Sequence, residues 1–324
     1  MRFRLQPLLH KLRSLLFFVP SWFLHGSPLK ADEEIIFFPT SASQTGKGQW
    51  QVPIHAWIYE PEEQSVSREL SSHLIRELFE LTELTEEQDH SEVFRQRIKW
   101  FLVDNERNKR ISLQVGDKTV QSSRSEPNGH ITFTIDHKTA TKPGTWVKLP
   151  LKTPPRDSRI FAAEAQLIPE QGLSMISDID DTIKISEVID KKALIEHVFF
   201  KEYEATPGMP DFYAELEKQG AYFHYISASP WQIYPSLKPF IDAHYPKGCF
   251  SMRHFRVTDS SFIRFFRSSM DYKLDTIRGI IERYPRNIKK ILIRKVKGSE
   301  AGPDRKKQAF ANVPNSKWVF MASP

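Results

Sequence analysis

From Glu34 to Ile168 apolar and polar residues alternate in short runs: EIIFFPT, VPIHAWIYEP, RISLQVGD, HITFTIDH, WVKLPLK and FAAEAQLIP, divided by Gly, Pro, Asn and Asp. A period of two sends successive side chains to opposite faces, so these runs predict strands. Two stretches keep a helical period instead. Residues 65–81 bring Leu70, Leu74, Leu78 and Leu81 near one face, and residues 91–103 group Val93, Ile98 and Leu102. The pattern predicts a β-rich unit with a helical insertion.

After Gly172 the rhythm changes to apolar strands alternating with amphipathic helices, which implies an α/β arrangement with a parallel sheet and flanking helices. The strand candidates are LSMIS, AYFHYIS, CFSMRHFRV and KKILIR, with helices expected near 209–219, 231–243, 272–284 and 304–311. The expected organisation is a basic segment over 1–30, a β-rich domain over 31–170 and an α/β domain over 171–324. In open parallel sheets ligands collect beyond the carboxyl ends of the strands, where Asp178 and Ser227 fall.

The chain has 324 residues, 40% of them hydrophobic, enough for two cores. Its one cysteine, Cys249, excludes an internal disulfide and any cysteine-based zinc site, and the eleven histidines show no HExxH-like spacing. The net charge of +6 is concentrated at the ends. Residues 1–30 carry Arg2, Arg4, Lys11, Arg13 and Lys30 with no acid, and from Arg283 onward eleven Lys and Arg face only Glu300 and Asp304. Basic ends favour an anionic surface, lipid or nucleic acid, and a solvated basic face is the plainer alternative. Leu5, Leu8, Leu9, Leu12, Leu15, Leu16 and Val19 have the spacing of an interfacial helix. A secretory signal and a disordered extension are the rival readings of that segment, so a cytoplasmic or peripheral-membrane location and export both stay open.

Asp178, Asp180 and Thr182 form a D-x-D-x-T pattern directly after a strand. Chance supplies about 0.04 such matches in a chain this long, so the pattern asks for a chemical explanation. Along an extended segment residues two apart point the same way, so both carboxylates can face one pocket. Two carboxylates there divide labour: one stays ionised as a nucleophile towards phosphorus, the other delivers a proton to the leaving oxygen and later activates water. A hard cation such as Mg2+ would offset the repulsion between nucleophile and phosphate. Thr182 is expected to stabilise the turn. YISASP ends a second strand with hydroxyls, of which Ser227, with Ser229 behind it, suits hydrogen bonding to a phosphoryl oxygen, although Ser-Pro is also ordinary turn chemistry. Lys273, in SSMDYKLDTI, is by itself a solvated charge; beside transferring phosphate it would neutralise it.

SDIDDTIKIS, ATPGMPDFYAELEKQGAYFHYISASPWQIYPSLKPFI and SSMDYKLDTIRGIIERYP together resemble the App-type phosphatidate phosphatases of the haloacid dehalogenase (HAD) superfamily, a resemblance that runs from roughly Ala31 to the C terminus and includes ADEEIIFFPT and DNERNKRISLQVGD. The resemblance implies a HAD-like parallel sheet and Mg2+-dependent conversion of phosphatidate to diacylglycerol and phosphate. It assigns Asp178 as nucleophile, Asp180 as general acid and base, Ser227 as phosphate-binding hydroxyl and Lys273 as the cation beside the nucleophile. Asp178 and the Asp180 main-chain carbonyl become metal ligands. The implied partner is phosphatidate or another anionic phospholipid at a membrane surface, with no nucleic acid and no oligomeric state indicated.

One departure stands out. The family has, after the helix ending like IIERYP, a further strand and a Gly-Asp-Ser-Gly-Glu-type loop whose acids complete the magnesium site. Here RYPRN runs into IKKILIRKVKGSEAGPD, as if one βα unit were missing. Two outcomes are open: KKILIR occupies the vacant place with Glu300 or Asp304 as imperfect substitutes, or the protein is a non-catalytic member that binds lipid or a partner. A HAD phosphatase for soluble phosphomonoesters is the further alternative.

Overall fold

The computed structural model describes residues 26–61, 78, 92–254 and 270–292. The N-terminal segment through residue 25, the helical stretch 65–81 apart from the buried helical Leu78, the expected helix 304–311, Glu300 and Asp304 lie outside the described residues. No helix among the described residues is long and apolar enough to cross a membrane.

The first sheet grows around β3 (Gln49–Glu60), which pairs antiparallel with β1 (Glu34–Phe38), with β2 (Thr40–Gly46) and, along its other edge, with β4 (Asp104–Asn105) and β7 (His130–Lys138). The path continues from β2 in parallel to β9 (Ala162–Ile168) and then antiparallel to β8 (Trp146–Pro150). A separate hairpin joins β5 (Ser112–Val115) and β6 (Lys118–Gln121). Alternation along β3 sorts its side chains: Trp50, Val52, Ile54 and Ala56 fill the core of this sheet, while Trp57 and Tyr59 face the other way. The expected strands are all present. The strand β2 is an addition, because TSASQTG has no apolar run; its small side chains let it sit between β3 and β9 with Ser41 and Ala42 buried.

The helix expected over 91–103 is shorter: α1 (Glu92–Ile98) passes into a 3-10 turn over Lys99–Phe101. Its Arg97 is buried and donates to the carbonyls of His197 and Val198 at 3.2 and 2.8 Å, fastening α1 to α2 (Lys191–Phe199). The sequence reading left out α2, whose start is capped by Asp190 accepting from the amides of Lys192 and Ala193.

The second sheet is parallel, in the order β12-β11-β10-β13, built from β10 (Leu173–Asp178), β11 (Ala221–Pro230), β12 (Cys249–Arg253) and β13 (Ile288–Leu292). Helix α3 (Met209–Lys218) leads into β11, α4 (Tyr234–His244) follows a 3-10 turn over Trp231–Ile233, and α5 (Met270–Arg283) precedes β13. The protein is thus a mixed α/β structure. The described part of KKILIR, through Leu292, enters the sheet beside β10, in parallel register from Leu173↔Ile288 to Ser177↔Leu292.

The two sheets share a core. Phe38, Trp57 and Tyr59 belong to one buried cluster with Met175, Ile179, Phe223, Trp231 and Tyr234. Phe38 packs on Trp231 at 4.1 Å between ring centroids and edge-on to Tyr234 at 4.9 Å. Aromatic burial on this scale is the main attraction between the sheets.

Candidate active site

The strand β10 is buried along almost its whole length and delivers Asp178 at its carboxyl end, level with Ile226 of β11. The chain then turns sharply. The Ile179 carbonyl accepts from the amides of Thr182, Ile183 and Lys184 at 3.0–3.2 Å, and the Asp181 amide donates to the Lys184 carbonyl at 2.8 Å. Thr182 is buried within this turn.

Asp181 takes a left-handed backbone, φ 57°, uncommon for a residue with a side chain but tolerated by Asp. Its carboxylate accepts from the amides of Ser186, Glu187 and Val188 at 2.7–2.8 Å. Three charge-assisted bonds offset the strained backbone and fix the loop. Asp181 therefore holds the turn together, leaving its two neighbours in the D-x-D-x-T pattern for other partners.

Lys273, from the first turn of α5, reaches the Asp178 carboxylate, its Nζ lying 2.7 Å from Oδ1 and 2.9 Å from Oδ2. The Ile179 amide also donates to Oδ1 at 3.0 Å. Asp180 is held from the other side. Its Oδ2 accepts from the hydroxyls of Ser227 at 2.8 Å and Ser229 at 3.4 Å, and its Oδ1 accepts from Ser186 Oγ at 3.0 Å and lies 3.3 Å from Lys184 Nζ. The two hydroxyls reach it because β11 leaves register with β12 between Ile226 and Pro230. An interrupted ladder re-aims side chains, here Ser227 and Ser229, at the neighbouring strand end. The structure thus brings together Asp178, Asp180, Thr182, Ser227, Ser229 and Lys273.

Lys184 and Ser186 were not singled out from the sequence. The signal was present, since IKIS places a lysine between two isoleucines directly after the acidic turn. The Lys184 ammonium donates to Ser186 and lies 5.0 Å from the Tyr203 ring centre, with almost no solvent exposure. Two carboxylates and two ammonium groups therefore face one another in a nearly dry site, each carboxylate directly paired.

Burial pushes the Asp178 carboxyl above its ordinary value, with Lys273 opposing and Asp180 reinforcing the shift. Burial acts upward on Asp180 too, but Lys184, Lys273 and the hydroxyls of Ser227 and Ser186 overcome it and hold that carboxyl below the ordinary range. Burial alone would lower Lys273, yet the two aspartates raise it. Lys184 is lowered by burial despite Asp180.

The Asp178 carboxylate and the Asp180 carbonyl are hard oxygen donors of the type that Mg2+ takes, and Mg2+ commonly uses one or two carboxylates plus substrate phosphate and water. That donor type suits such an ion, while the third acid of the turn, Asp181, is taken up by the amides of Ser186, Glu187 and Val188. Leu292 ends β13 opposite Ser177, one residue short of Asp178.

Residues 173–295 match the family model described as phosphatidate phosphatase APP1, catalytic domain. Over 126 residues the chain is 30% identical to "Phosphatidate phosphatase APP1" of Saccharomyces cerevisiae, covering 38% of this chain and 21% of that protein. It is 29% identical over 85 residues to an uncharacterized protein, C29B5.04c, of Schizosaccharomyces pombe, covering 25% of this chain and 14% of that one. The chain therefore spans about a fifth or less of the length of these curated relatives. A solved carbohydrate esterase aligns over 90% of this chain and 88% of its own at 5% identity with a TM-score of 0.23, a likeness too slight to carry an argument. The resemblance read from the motif strings is thus matched over the segment that holds the aspartate site.

Proposed function

We propose that the protein is a phosphatidate phosphatase-like hydrolase of HAD-like fold, acting on an anionic phospholipid at a membrane surface. The observation that carries this reading is the division of partners at the ends of β10 and β11: Lys273 on Asp178, and Ser227 with Lys184 on Asp180. Likeness of residues 173–295 to the APP1 catalytic domain supplies the substrate class.

In this mechanism the Asp178 carboxylate attacks phosphorus, the bond from phosphorus to the glycerol oxygen breaks, and Asp180 delivers a proton to that oxygen as diacylglycerol leaves. Asp180, now ionised, takes a proton from water, whose oxygen attacks the Asp178 acyl phosphate, releasing phosphate and restoring the carboxylate. Ser227, whose proton goes to Asp180 in the free protein, donates it to a phosphoryl oxygen once Asp180 is protonated, and Lys273 neutralises charge on the nucleophile and the transferring group. A divalent cation held by Asp178 and the Asp180 carbonyl would supply further charge neutralisation. In the free protein Asp178 is shifted up and Asp180 down, the reverse of these roles. Phosphate charge beside Asp180 favours its protonated form, and a cation held at Asp178 would favour its ionised form, so the proposal assigns these roles to the substrate-bound protein.

The test is phosphate release from vesicles containing phosphatidate, and from a soluble phosphomonoester, with Mg2+ and with EDTA. The reading expects Mg2+-dependent release from vesicles that Asp178→Asn abolishes. Release from the soluble ester alone identifies a phosphomonoester phosphatase, and vesicle binding with no release identifies the non-catalytic lipid binder.

A further inference from the structure

Three histidines far apart in sequence meet outside the aspartate site. His55 lies on β3, His130 opens β7, and His254 directly follows β12. One ring nitrogen from each lies within 4.8 Å of the others, and His55 Nε2 is 2.9 Å from His130 Nδ1. In a tetrahedral zinc site with bonds of about 2.0–2.1 Å the ligand nitrogens stand roughly 3.3 Å apart. The His55–His130 pair must open by a few tenths of an ångström and the third ring must close in, a movement that falls on the exposed His254.

The rings of half-buried His55 and buried His130 are firmly set. Gly129, φ +76°, precedes His130; a Cβ there would come within 2.3 Å of the Ile58 carbonyl oxygen, and the Gly129 carbonyl accepts from the Ile58 amide at 2.9 Å. The Asn128 side chain accepts from the His130 amide at 3.1 Å. His130 then lies parallel to Trp57, at 5.8 Å and 4°, while His55 meets the edge of Trp231 at 4.6 Å. A neutral hydrogen-bonded pair accounts for His55 and His130 alone. It asks for no third imidazole, yet His254 packs edge-on against His130 at 4.4 Å and against His55 at 5.6 Å.

We propose that His55, His130 and His254 form a binding site for a first-row transition-metal ion, Zn2+ foremost, with its fourth position open to solvent beside His254. Three imidazole donors suit Zn2+ and reject Mg2+, which separates this site chemically from the oxygen donors at Asp178. Two ligands come from the antiparallel sheet and one from the carboxyl side of the parallel sheet. A bound ion would therefore tie the two sheets together next to Trp231, two residues beyond Ser229.

The experiment is titration of the metal-free full chain with Zn2+ alone against a chromophoric chelator, repeated with His254→Asn and with His55→Gln. His254→Asn alters an exposed side chain, so its melting temperature without metal is expected to equal that of the wild type. The proposal expects one Zn2+ per chain that excess Mg2+ does not displace. It expects the affinity to fall in both variants by more than the roughly 10–100-fold lost with a supporting partner, and Zn2+ to raise the melting temperature of the wild type alone. Co2+ in place of Zn2+ should give the visible absorption of a four-coordinate nitrogen site. Absence of stoichiometric binding to the wild type, or equal affinity in wild type and His254→Asn, overturns the proposal.

Discussion

Lys184 and Asp180 are four residues apart and meet twice, as backbone bridge partners across the turn and as a side-chain ion pair at 3.3 Å. The turn that exposes Asp180 to Ser227 is thus the same one that brings a buried ammonium to its other oxygen. Asp180 is anchored within its own loop, whereas Asp178 takes its cation from α5, 95 residues away.

Removing the Lys184 charge is expected to raise the proton affinity of Asp180. Asp180 titrates below its ordinary value of 3.8 in the folded chain, so it contributes stability that is fully present above 3.8 and lost as the pH falls through its folded value. In Lys184→Met that loss should begin at higher pH, and in Asp180→Asn it should be absent. Urea unfolding from pH 6 to pH 3, with carboxyl carbon NMR of Asp180, checks both.

Asp181→Ala removes the acceptor of three backbone amides and leaves a left-handed backbone without its compensation. A loss of about 3 kcal/mol is expected, with Asp181→Asn milder because an amide oxygen still accepts. Denaturant midpoints of the two variants test the order.

Of the two hydroxyls on Asp180, Ser227 is the closer, at 2.8 Å against 3.4 Å for Ser229. Ser227→Ala should lower kcat for phosphate release by roughly 10–100-fold, the scale of a lost transition-state hydrogen bond. Ser229→Ala should cost several-fold less. Equal effects would place both hydroxyls in the same role.

Phe38 belongs to the antiparallel sheet but packs on Trp231, which directly follows β11. Phe38→Ala is expected to cost about 3–5 kcal/mol, as for other buried aromatics. Because the core is shared, it should lower the melting of both sheets together, seen as one shifted transition by far-UV and near-UV circular dichroism.

Most of the strands were legible because burial on one face writes a period of two into the sequence. The strand β2 was not, since small polar residues leave no such trace, and neither was α2, whose Asp190 cap precedes only a weak stripe. Asp178 and Asp180 were legible as carboxylates at and just past a strand end, but the chain turns after Asp178, so the turn and not strand alternation sets where Asp180 lies. Asp181 gained its role from a positive φ, and Ser227 and Ser229 gained theirs from an interrupted ladder, neither of which a residue pattern records.

What the sequence determined by itself is therefore local: which segments alternate, where an apolar strand ends in carboxylates, and which motif strings accompany it. Which partner each carboxylate receives, that KKILIR pairs beside β10, and that His55, His130 and His254 converge were decided by tertiary structure. The physical reason is that periodicity reports the face a side chain takes on its own element, whereas contacts between elements depend on register and packing that only the folded chain sets.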